Sequence, residues 1–99
     1  MTLYEVCEQI AIVEEQLACG EIEFVYDNLM SAMKPGHPAD ILDEILSIIG
    51  WDVQAGKTPP LAKVKRTLKG LEDFQKAFSV DLSGPVSALK EYLKNNETT

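Results

Sequence analysis

Four groups of residues in this 99-residue chain are of types that can do chemistry. The first is the run Gly50-Trp51-Asp52-Val53-Gln54-Ala55-Gly56-Lys57-Thr58. A phosphate-cradling loop needs a glycine, four residues, then Gly-Lys-Ser/Thr, because that spacing sets how backbone N–H groups surround the phosphates. Here five residues intervene, no apolar strand precedes the run, and Pro59-Pro60 follows it. The segment therefore reads as a turn between helices. Thr58 is expected to cap the next helix, with Pro59 at its first position, where a missing N–H costs nothing.

The second is His37, the single histidine, set between Gly36 and Pro38. A general base needs an orienting partner and a group to deprotonate, and the sequence indicates neither. A solvated turn residue is the expectation, with a partner contact as the functional alternative.

The third group is the carboxylates Glu5, Glu8, Glu14, Glu15, Glu21, Glu23, Asp27, Asp40, Asp43 and Glu44. Helix-bundle di-metal sites use Glu-x-x-His on each of two helices, and this chain has no such pair. It has no Asp-x-Asp-x-Asp-Gly calcium loop either. The fourth is the cysteines, Cys7 and Cys19. Twelve residues apart on one helix, they would stand ~18 Å from each other, beyond disulfide reach. Two free thiols suit a reducing cytoplasm. The sequence thus supplies no catalytic, cofactor or metal candidates, and a non-enzymatic protein is expected.

What remains is charge. Sixteen acids against nine lysines and arginines give a net charge of −7. Residues 1–56 hold eleven acids and one base, Lys34, whereas residues 57–99 hold five acids and eight bases. The acidic half discourages nucleic acid and anionic membranes. It favours a basic partner, or the chain's own basic half. Glu14 and Glu15 lie near the end of the first expected helix, where the helix dipole disfavours anions, and Glu21 and Glu23 follow across Gly20.

The elements that must position these groups are helical throughout. Thr2 and Glu5 form a capping box. Leu3, Val6, Ile10, Val13 and Leu17 recur at spacings of three and four, and Gly20 ends that helix. A second helix is expected over residues 21–33, carrying Ile22, Val25, Tyr26, Leu29 and Met33 on one face. Two prolines and a glycine in residues 34–38 break it. The third starts near Ala39 or Asp40, with Ile41, Leu42, Ile45, Ile48 and Ile49 inward, and stops at Gly50 or runs on to Ala55. The fourth, residues 61–78, carries Leu61, Val64, Leu68, Leu71, Phe74 and Phe78. Ser83-Gly84-Pro85 starts the last, with Val86, Leu89 and Leu93 inward. No segment shows sustained period-two alternation. The fold class is all-α, a compact four- or five-helix bundle or orthogonal helical domain. Residues 1–94 form one domain, and residues 95–99 are a frayed tail.

Three large apolar residues project away from their helices' core faces: Ile12, Phe24 and Trp51. Exposed together with Glu14, Glu15, Glu21 and Glu23, they would make an aromatic patch with an acidic rim, the anatomy of a protein-binding hot spot. Tyr4, Cys7, Ala11 and Ala18 add a second, small-residue face. The expectation is a small acidic cytoplasmic module that binds another protein with a basic surface, as adaptor, regulator, inhibitor or assembly chaperone. Two alternatives stand beside it. The acids also read as a nucleic-acid decoy that blocks a nucleic-acid-binding protein. The helix over residues 61–78 offers Lys65, Arg66, Lys69 and Lys76 as a nucleic-acid-binding face, with Glu72 and Asp73 spaced to neutralise Lys69 and Lys76. Opposite charges on the two halves also allow self-association.

Overall fold

The Thr2 capping box forms as its residues dictate. The Glu5 N–H donates to Thr2 Oγ1 and the Thr2 N–H to Glu5 Oε1, both at 3.2 Å. In this computed structural model, which describes residues 2–23 and 37–97, the helix so begun is α1, Leu3–Ala18. It buries Val6, Ile10 and Leu17 and half-buries Leu3 and Val13, the stripe read from their spacing. Gly20, at φ 76°, closes it. The Gly20 N–H reaches Leu17 O and the Glu21 N–H reaches Gln16 O, which satisfies carbonyls the helix end would otherwise strand. Residues 21–23 are not helical. The rest of the helix expected through residue 33, with Phe24, Asp27 and Lys34, lies outside the described residues.

The next helix, α2, spans Pro38–Gln54. It begins earlier than Ala39 or Asp40. The residue before a proline is pushed to extended backbone, and His37 adopts it at φ −71°, ψ 142°. From there His37 Nδ1 accepts the Ala39 N–H at 3.1 Å. The lone histidine is therefore a helix cap. The helix also continues through Gly50, so the phosphate-loop-like run is its C-terminal end. Lys57 donates to Asp52 O and Gly56, at φ 74°, to Val53 O. Carbonyls point out of this end, the wrong polarity for a phosphate.

Helix α3 spans Leu61–Phe78, and its start corrects the sequence reading. Thr58 makes no cap. Pro60 holds the residue before it away from helical backbone, so Pro59 cannot be the first helical position. Pro60 itself is the N-cap, at φ −58°, ψ 147°, without a side-chain hydrogen bond. Helix α4 spans Ser83–Glu97 and runs into the segment expected to fray. Asn96 Nδ2 donates to Tyr92 O at 2.7 Å within that last stretch. The connector between α3 and α4 is pinned rather than loose. Gln75 Oε1 accepts the Leu82 N–H at 2.7 Å, Asp81 Oδ1 accepts the Ser83 N–H at 3.0 Å, and Val80 and Leu82 are buried.

The described residues form four helices and no strand, an all-α bundle with extents of 41 × 23 × 19 Å. The helices pack in a ring: α1 against α2 and α4, and α3 against the same two. Val64, Leu71, Phe74 and Phe78 of α3 meet Ile10, Leu42, Ile49 and Leu89 in one core. The Phe74 and Phe78 rings lie 4.7 Å apart, tilted by 46°. Truncating either phenylalanine to alanine would cost about 3–5 kcal/mol. Thr67 is fully buried and was not among the expected core residues. Its hydroxyl donates to Lys63 O at 3.1 Å, so it enters the core already satisfied.

Candidate interaction face

Two helices carry no lysine or arginine. On α1 stand Glu5, Glu8, Glu14 and Glu15, and on α2 stand Asp40, Asp43, Glu44 and Asp52. The ring order puts α3 diagonal to α1, with α2 and α4 between them. Lys63 pairs with Asp52 at 3.2 Å, on the α2 flank that faces α3. Lys69 pairs with Asp73 within α3 at 3.6 Å. Glu72 turns to Lys90 of α4 at 3.9 Å, a partner outside its own helix. The ion pairs of Lys63, Lys69 and Lys90 thus go to Asp52, Asp73 and Glu72.

Where α1 and α2 run side by side, a groove of about 160 Å³ opens to solvent. Tyr4, Cys7, Glu8 and Ala11 form one wall, at helical positions i, i+3, i+4 and i+7. Leu46, Gly50, Val53 and Gln54 form the other. A second depression of about 240 Å³ adjoins it. It shares Leu46, Gly50 and Gln54 and adds Asp43, Ser47 and Trp51. The groove forms because small residues face each other across the two helices, so no side chain fills the space. Tyr4, 64% exposed, lines the groove, and Trp51, 74% exposed, lines the adjoining depression.

Glu14 and Asp43 meet across the two helices. Partial burial, the Asp43 charge, a carboxyl hydrogen bond with Asp43 and the Asp40 charge all raise the Glu14 pKa above its ordinary 4.5. Burial likewise pushes the Cys7 thiol up, which keeps this groove residue neutral. Among the described residues, no three His, Cys, Asp or Glu side chains converge as a metal site.

The residues singled out by sequence thus separate. Trp51 is exposed beside Asp43, and Glu14 lies at the α1–α2 seam. Ile12 is 50% exposed but stands outside the groove. Glu15, Glu21 and Glu23 are exposed, and Phe24 lies outside the described residues. Lys65, Arg66, Lys69 and Lys76 are exposed on α3, away from the groove. The α2 wall escaped the sequence reading. Its signal was present, since Leu46, Gly50 and Val53 repeat the spacing of one helix face, but its meaning depends on which helix lies opposite.

Comparison with protein-family models, curated proteins and solved structures finds no match. The class that fold and surface define is an all-α four-helix bundle with an acidic, aromatic-bordered face. Among the described residues, no helix is long and apolar enough to cross a membrane.

Proposed function

We propose that the protein is a small binding module that docks another protein on its α1–α2 face, without catalysis. A reducing, cytoplasmic setting suits its two free thiols. The observation that carries the reading is the exposure of Trp51 and Tyr4 beside an unfilled groove. Large aromatics at that exposure add nothing to this fold's core, whereas aromatics dominate protein-binding hot spots. Adaptor, regulator, inhibitor and assembly chaperone are roles such a module can fill.

Differential affinity capture tests it. Wild-type protein and the Tyr4→Ala/Trp51→Ala variant are immobilised side by side at low and physiological salt. The reading expects at least one partner retained by wild type and lost by the variant, whose circular dichroism is unchanged. Identical retention on both would refute it.

The carboxylates of α1 and α2, helices with no lysine or arginine of their own, also suit a decoy of nucleic acid. That reading predicts partners displaced by duplex DNA and indifferent to loss of the two aromatics. Tyr4 and Trp51 interrupt the carboxylate array with apolar surface, which favours the module reading.

A further inference from the structure

Deepening that reading and resting on it, we infer that the α1–α2 groove receives the apolar face of a basic amphipathic helix. The charge is the first argument. Both helices that wall the groove are free of lysine and arginine; Glu8 lines it, and Asp43 lines the adjoining depression. A neutral or acidic helix laid there would bring like charges together or leave carboxylates unpaired, while lysines flanking an apolar row would meet them. A second copy of this chain offering its own α1–α2 face would set carboxylate against carboxylate.

The shape is the second argument. From Tyr4 to Ala11 the groove runs seven residues along α1, ~10 Å, the length of two helical turns. Its floor at Cys7, Ala11 and Gly50 is low enough for side chains at i, i+3 or i+4, and i+7 of a third helix to enter. Tyr4 lines this groove, and Trp51 lines the depression that adjoins it. Helix-in-groove recognition uses this combination of apolar anchors and a charged rim.

Trp51 is the chain's single tryptophan and reports on its own face. The probe is an amidated peptide of about 14 residues with leucines on one helical face and lysines on the rest. One control exchanges every lysine for glutamate, and another scrambles the lysine peptide so that no apolar face forms. The expected result is a saturable blue shift of Trp51 emission with the lysine peptide, and binding at least ~10-fold weaker for both controls. Two variants fill the groove without altering charge. Gly50→Leu fills its floor, and Ala11→Met, at an exposed position, keeps the test intact should the first not fold. Each is expected to weaken the lysine peptide ~5-fold or more with the helical spectrum retained.

Equal binding of the scrambled peptide would reduce the effect to bulk charge and overturn the inference. Equal binding of the glutamate peptide would do the same. A Trp51 blue shift that grows with protein concentration alone would make a second copy the occupant and overturn it too. If no peptide shifts Trp51 while capture still depends on Tyr4 and Trp51, the basic helix is rejected and the module reading survives. If that capture is lost as well, both fall.

Discussion

Two glycines on facing helices do opposite things. A Cβ built on Gly70 of α3 would stand 3.1 and 3.2 Å from Cγ2 and Cγ1 of Ile45, carbons too near the α2 backbone to move aside. Gly70 is what lets α2 and α3 approach. Gly70→Ala should therefore destabilise by on the order of 1 kcal/mol in chemical denaturation, despite alanine's better helix propensity. A Cβ on Gly50 would meet only Leu46, at 3.8 Å. Gly50→Ala should raise stability by about 0.5–1 kcal/mol. A helical glycine that alanine would improve fits a floor kept low for a ligand. Glu14 belongs to the same scale. Because its folded pKa is raised, the folded state holds the proton more tightly, and stability falls as pH climbs through and above the ordinary value of 4.5. Glu14→Gln should thus raise stability at pH 7 in chemical denaturation, and the gain should fade as pH drops below 4.5. Asp81 works in the opposite direction. Its hydrogen bonds with Ser83 lower its pKa below the ordinary 3.8, so its contribution is present at neutral pH and lost in stronger acid.

At the scale of the element, the sequence was most legible where one local rule acted alone. The α1 stripe, the Thr2–Glu5 box and Gly20 each needed nothing beyond their own helix. Thr58 was misread because two rules met at adjacent prolines. Thr58-Pro59 resembles a cap and first turn, but Pro60 removes Pro59 from helical backbone. His37 looked like a solvated turn because a histidine cap has no strong sequence signature. The α3–α4 connector is held by Gln75, a polar residue in the last turn of α3 whose partner lies seven positions on. Gln75→Ala would leave the Leu82 N–H unpaired and should cost about 1–3 kcal/mol, read as a lower midpoint in urea with unchanged slope. The groove was half legible. Tyr4, Cys7 and Ala11 showed as a small-residue face, while Leu46, Gly50 and Val53 became its other wall only through the packing of α1 on α2.

Over the whole molecule, the order of helices decides where charge goes. The acidic α1 has α2 and α4 as neighbours, and the basic α3 is across the ring. The opposite halves of the chain therefore cancel only in part, as at Lys63–Asp52. They give one face of carboxylates and, on α3, a face carrying Lys65, Arg66, Lys69 and Lys76. Two-fold pairing of the acidic face with itself is repulsive, and head-to-tail pairing of that face with α3 is screened by salt, so the protein should sediment as an 11.0 kDa monomer at high salt. A dimer that persists at high salt would place an apolar contact between copies.

The two faces make the decisive measurement simple. Amide chemical shifts of the isotopically labelled protein, followed while the lysine–leucine peptide is added, report which side of the bundle it meets. The account predicts that the largest changes fall on Tyr4, Cys7, Ala11, Gly50 and Trp51, with Lys65, Arg66, Lys69 and Lys76 left near their starting positions. Changes centred on α3, or spread evenly over every exposed carboxylate, would contradict it.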